Sequence, residues 1–210
     1  MAADKFAMSR DGEDILVEKN FAQLVYLAGK FAGLSTTLLD TQAKPSEIRT
    51  ILNLRDAYHY AMSLQYISEV SFAALLKINL FVIGAGASGA GQIRVQPVVV
   101  PLTDMIYQPT IPDETQVKRE FSDLVQSEAT TTDKAITVLL WLSRAQLFLD
   151  GNKRTAIIAA NALMFAGRRG LLAVPENKLA EYLQRLQQYY KNGDTANLKH
   201  WLYDTAIFGF

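Results

Sequence analysis

From residue 113 to residue 206 the chain repeats apolar residues at helical spacing with few breaks, and no other feature constrains its fold more. The spacing predicts helices over 113–126, 132–146, 152–168, 175–190 and 194–206. Thr132 followed by Asp133 suits an N-cap with an acid in the first turn, and Gly170 follows Arg168 and Arg169 as a helix stop would. Elements of this length, each apolar on one side, bury those sides against one another as a bundle.

The N-terminal half extends the pattern. Over 14–31, Ile15, Leu16, Phe21, Leu24, Val25, Ala28 and Phe31 fall near one stripe, with Glu18, Lys19 and Lys30 off it. Pro45 suits the first turn of a second helix running toward Tyr66. A third, 68–83, is apolar almost all round and is therefore expected at the centre. Helical spacing then stops at Gly84-Ala85-Gly86-Ala87-Ser88-Gly89-Ala90-Gly91. Ile93 to Val100 alternates and is rich in valine, so it reads as a short strand, which Pro97 and Pro101 confine to an edge or hairpin. Pro109 and Pro112 mark an irregular connector. The fold class is mainly α with one β-hairpin, and no repeat of solenoid length is present.

Hydrophobic residues make up 50% and charged residues 20%, the balance of a packed globular chain. Lysine plus arginine (21) equals aspartate plus glutamate (21), so no broad basic surface is expected and direct nucleic-acid binding is not indicated. Cysteine is absent, which excludes disulfides, thiolate metal sites and cysteine nucleophiles and fits a reducing compartment. The first residues lack a basic stretch leading into an apolar run, and the most apolar segment, 70–87, is interrupted by Lys77 and Asn79. No membrane span is expected, and the location expected is cytoplasmic.

Two glycine-bearing strings could carry chemistry. Gly84-Ala85-Gly86-Ala87-Ser88-Gly89 has the letters of a dinucleotide-binding turn, but that turn needs a strand before it and a helix after it. Here the order is reversed, and the string reads as a flexible linker. Phe148-Leu149-Asp150-Gly151-Asn152-Lys153-Arg154-Thr155-Ala156 lies between two apolar helices. Gly151 permits a sharp turn, Asn152 can cap the next helix, and the amides of Asn152, Lys153 and Arg154 then face outward with the positive end of the helix dipole behind them. Arg154 adds a planar fork for phosphate oxygens, Lys153 a mobile point charge, and Asp150 a carboxylate able to hold Mg²⁺ brought with the phosphates. Two readings fit these residue types: an anion-binding loop, or an exposed turn with a solvated charge pair.

The second string resembles the central motif of the Fic and Doc superfamily, His-x-Phe-x-Asp/Glu-Gly-Asn-Gly/Lys-Arg. Phe148, Asp150, Gly151, Asn152, Lys153 and Arg154 all fit, and Lys153-Arg154-Thr155-Ala156 is closer to the Doc branch. The second arginine of the commoner branch would fall on Ile157. Gln146 stands where the motif has its catalytic histidine. Gly91-Gln92-Ile93-Arg94 and Val95 resemble the approach to the family's hairpin flap, Tyr107 to Pro112 resembles the link after it, and Glu47, Ile48, Asn53 and Ala57 fit the helix before it. The likeness covers roughly 36–168. It implies a Fic-type helical bundle with a short β-hairpin flap: a helical extension over 1–35, a core over 36–170, and C-terminal helices over 171–210.

The resemblance also implies function. Members are thought to transfer AMP, or phosphate in the Doc-like case, from ATP with Mg²⁺ to a protein hydroxyl held at the flap. The motif histidine takes the hydroxyl proton, Asp150 would hold Mg²⁺, Gly151, Asn152, Lys153 and Arg154 would hold phosphate, and Phe148 would anchor the loop. Many members carry an inhibitory Ser/Thr-x-x-x-Glu-Gly/Asn helix, for which Thr36 to Thr41 is a weak match with Asp40 in place of glutamate. A separate antitoxin-like small protein is therefore an expected partner. Glutamine has no ionisation near neutral pH and cannot act as a general base. A nucleotide-binding protein with impaired transfer is the reading expected first. The alternatives are an active adenylyltransferase or Doc-like kinase, or a helical partner-binding protein without catalysis.

Overall fold

The computed structural model describes residues 2–34 and 44–210; the Asp40 motif lies outside them. Eight α-helices are present among the described residues: α1 Arg10–Lys30, α2 Pro45–Ser63, α3 Phe72–Ile83, α4 Glu114–Gln126, α5 Thr131–Ala145, α6 Asn152–Gly167, α7 Leu179–Asn192 and α8 Ala196–Ala206. Their starts follow side-chain chemistry. Ser9 Oγ accepts from Gly12 N (3.1 Å), Ser71 Oγ from Ala74 N (3.2 Å) and Asp113 Oδ1 from Gln116 N (2.8 Å), each satisfying an amide that the first turn leaves without a partner. At α5 the cap is Thr130, whose Oγ1 accepts from Asp133 N (3.3 Å), while the expected cap Thr132 is the second helical residue and fully buried.

The centre of the bundle is α6. Every residue from Thr155 to Phe165 is buried, and α1, α2, α3 and α5 all pack on it. Ala156, Ala159, Ala160 and Ala162 have side chains small enough for neighbouring helices to approach closely from several sides. This corrects the expectation for α3, which keeps Ala73 and Lys77 exposed and buries only one face. One hydrophobic core draws on all eight helices, from Val17 in α1 to Leu202 in α8.

Strand structure is slight. Val100–Pro101 (β1) pairs antiparallel with Ile106–Tyr107 (β2), Val100 opposite Tyr107. The hairpin thus lies beyond the expected strand over 93–100, of which only Val100 is paired. Leu171–Leu172 (β3) pairs with Ile207–Phe208 (β4), two short strands whose apolar letters merge in the sequence with the helices beside them. No helix among the described residues is long and apolar enough to cross a membrane.

Candidate functional site

The segment joining α5 to α6 is built by local clamps. Asn152 is buried, and its side chain holds both backbone groups of Phe148: Oδ1 accepts from Phe148 N (2.9 Å) and Nδ2 donates to Phe148 O (2.8 Å). Phe148 itself is 1% exposed and anchors the loop in the core. The N-cap is Gly151, not Asn152. Its φ of +77° lies in the left-handed region, and a Cβ there would sit 2.6 Å from Ile83 Cδ1, so glycine is required on both counts. Asp150 Oδ1 accepts from Gly151 N (2.5 Å). The first amide of α6 to find an acceptor within the helix is that of Thr155, bonded to Gly151 O (2.8 Å). The amides of Asn152, Lys153 and Arg154 therefore have no acceptor within the helix, the arrangement that makes a helix N-terminus receptive to anions.

These residues line a cleft of about 220 Å³ together with Gln146, Leu149, Asp150, Gly151, Val98, Val99 and Phe31. Two cations serve it. Arg154 Nη2 lies 3.1 Å from each Asp150 carboxylate oxygen. Lys153 is half-buried, and it makes no ion pair or side-chain hydrogen bond among the described residues. Burial pushes the Lys153 ammonium below the usual lysine range, and the neighbouring Arg154 charge adds to this. An anion in the cleft would favour the charged ammonium and so oppose both effects. Among the described residues there is no group of three or more acidic or histidine side chains that could cage a metal. Asp150 alone, its carboxylate 74% exposed, fits an ion such as Mg²⁺ that keeps waters and shares phosphate oxygens with its ligand.

Gln146 closes α5 in a left-handed conformation, φ +48° and ψ +58°. Its side chain turns inward: Nε2 donates to Ser143 O (2.5 Å) and lies 3.5 Å from the Tyr190 hydroxyl, which itself donates to Ser143 O (2.9 Å). Its carbonyl accepts from Arg94 Nε (2.6 Å). No histidine substitutes at the cleft. His59 is exposed on α2 against Phe21, ring centroids 4.6 Å apart, and His200 is exposed on α8 beside Asp204.

The structure thus brings Gln146, Phe148, Asp150, Gly151, Asn152, Lys153 and Arg154 to one place. Ile93, Arg94 and Val95 take another part than that of a flap strand. Arg94 is 2% exposed and donates to the carbonyls of Gln146, Gln96 (2.8 Å) and Thr110 (2.6 Å), while its own amide donates to Leu147 O (3.0 Å). Those bonds hold the segment under the loop, Val95 points to solvent, and Ile93 packs on the core. Two contributors escaped sequence reading. Tyr190 gives no signal at all, being one aromatic residue among many. Asn79 does: it is a lone buried amide in an apolar helix, which demands partners.

An α-helical bundle with an anion-receptive helix N-terminus beside a small hairpin defines a class, and comparison with known proteins supplies the family. Residues 69–164, from the turn before α3 through most of α6, match the Fic/DOC family model, and the chain carries a Fic/DOC-family domain there. Among solved structures the fold is similar to Fic-1 (aa134 - 508) from C. elegans, with TM-score 0.78 and 16% identity over 95% of this chain and 64% of that one. It is also similar to a Fic domain containing signaling protein from Bacteroides thetaiotaomicron VPI-5482, TM-score 0.76 and 14% identity over 91% and 80%. A Fic family protein from Desulfovibrio desulfuricans G20 gives 0.72 and 10% over 97% and 74%. The chain thus spans somewhat less than two thirds of the C. elegans structure. Among curated proteins no match was found.

Proposed function

We propose that the cleft at the start of α6 binds a nucleotide, ATP with Mg²⁺, and that transfer from it to a protein hydroxyl is impaired because residue 146 is glutamine. The observation that carries this reading is the convergence, on one cleft, of three amides without helical acceptors, the half-buried Lys153 and the Arg154 fork. Phosphate oxygens satisfy all three kinds of group at once. Asp150 is the residue that would hold Mg²⁺, which would offset phosphate charge.

Transfer requires the target hydroxyl oxygen to form a bond to phosphorus while the bond to the leaving group breaks, pyrophosphate departing when AMP is transferred and ADP when phosphate is, and the hydroxyl proton must go to a base. Gln146 offers none, and its amide is committed to Ser143 O. A target segment would lie along the hairpin of β1 and β2, whose Ile106 and neighbouring Met105 are exposed, adding a strand to its edge. A small antitoxin-like partner and a cytoplasmic setting belong to the same reading.

Calorimetric titration with ATP and Mg²⁺ tests it. Binding is expected, with Arg154→Ala weakening it about tenfold or more, the worth of a charge-assisted hydrogen bond. No binding by the parent protein overturns the nucleotide reading. Incubation with labelled ATP and cell lysate tests the second half: Gln146→His is expected to raise labelling on the order of 10²-fold, the lower range for gaining a general base. Equal labelling by the parent would remove the case for impairment.

A further inference from the structure

The glycine turn over 84–91 and the anion loop over 148–154 meet through one buried side chain. Asn79 has no solvent exposure, and it sits in a helix whose other buried residues are all apolar. Its Nδ2 donates to Asp150 O (3.2 Å) and to Thr155 Oγ1 (3.0 Å), and its Oδ1 accepts from Gly91 N (2.9 Å). An amide buried this deeply is costly unless paired, and here each partner lies in the loop, in the first turn of α6 or in the glycine turn. Asp150 carries the carboxylate that faces the cleft, and Thr155 is the first α6 residue whose amide is bonded within the helix. The side chain therefore sets where the free amides of residues 152–154 begin.

The glycine turn is held close as well. Gly91 has φ +68°, and a Cβ there would lie 3.0 Å from both Leu76 O and Leu80 Cβ. Gly89 packs so tightly on the loop that a Cβ would sit 2.9 Å from Leu149 Cδ1. The turn thus touches the loop twice, once through the Leu149 side chain and once through Asn79. We propose that Asn79 is a positioning residue for the anion site, coupling the glycine turn to the loop, so that the turn braces the loop rather than serving as a linker. This rests on the nucleotide reading above.

Asn161 supplies the control. It is equally buried, in α6 itself, with Nδ2 donating to Ile157 O (3.0 Å) and Leu172 O (2.7 Å) and Oδ1 accepting from Leu172 N (2.9 Å), so its partners lie outside the loop over 148–154. Thermal melting, ATP–Mg²⁺ titration and amide exchange at residues 150–154 would be measured on the parent, Asn79→Ala and Asn161→Ala. Both variants should melt lower by similar amounts, while Asn79→Ala alone loses about tenfold in affinity and exchanges faster at the loop. An affinity within about twofold of the parent, or an equal loss in Asn161→Ala, overturns the proposal. If Asn79→Ala does not fold, Thr155→Val removes one Asn79 partner at nearly constant shape and decides: a loss of about threefold or more supports the coupling and unchanged binding rejects it. If the parent binds no ATP, the nucleotide reading fails separately, and unchanged exchange at 150–154 in Asn79→Ala or Thr155→Val would then reject the positioning role itself.

Discussion

Two cations and one carboxylate share the mouth of the cleft, and they are not equivalent. Arg154 is engaged by Asp150, whereas Lys153 has no counter-charge among the described residues. Because the Asp150 carboxylate is largely in water, the pair contributes less than about 1 kcal/mol to stability. Asp150→Asn should therefore melt within a degree or two of the parent, yet lose most of the difference between ATP titrations run with Mg²⁺ and with a chelator. A full Mg²⁺ effect in that variant would exclude Asp150 as the ion's protein ligand. Gly151→Ala should behave oppositely. A left-handed φ together with a contact at 2.6 Å is expected to cost about 2 kcal/mol, read as a lower melting temperature before any ligand is added.

At the scale of elements, Arg94 shows what periodicity can and cannot reveal. The eight helices were legible because a stripe of apolar residues is a local property, and capping residues such as Ser9, Ser71 and Asp113 lie next to the amides they serve. The local build of the loop over 148–154 was legible for the same reason, since its glycine, its clamp and its charges all fall within nine residues. The strand expected over 93–100 failed because its fate depends on partners far along the chain: the Arg94 side chain binds carbonyls at 96, 110 and 146 and leaves β pairing to residues 100–107. Nothing in an alternating valine pattern encodes that. Removing the guanidinium would leave one buried and two part-buried carbonyls without their donor, so Arg94→Met is expected to destabilise by about 2 kcal/mol in denaturant unfolding. Arg94→Lys should rescue little, because an ammonium cannot reach three divergent carbonyls as the planar fork does. Near-complete rescue by lysine would show that charge rather than geometry holds the segment.

For the whole molecule, the joint between α1 and the end of α6 governs the response to pH. Glu13 is 3% exposed in the first turn of α1; its Oε2 accepts from Gly170 N (3.0 Å), and its Oε1 has no hydrogen-bond partner among the described residues. Burial raises its pKa from 4.5 to about 7, with Asp14 reinforcing the shift and the Gly170 amide and Arg169 opposing it. Arg10 and Arg168 line the small cavity beside it. Between those two pKa values the folded chain keeps a proton that the unfolded chain has released, so stability must fall as pH rises through this window, by at most about 3 kcal/mol. The carboxylates held below their usual range, at Asp4, Asp104, Glu176 and Glu181, act with the opposite sign and at lower pH, where their loss of charge destabilises the fold. Glu13→Gln keeps an oxygen for Gly170 N and cannot ionise. Melting both proteins from about pH 5 to about pH 8 should show the parent losing ground steadily to the variant, with the variant the more stable at the alkaline end. Parallel curves would mean that Glu13 stays charged throughout, and that an arginine beside the cavity, Arg10 or Arg168, compensates the buried carboxylate in solution.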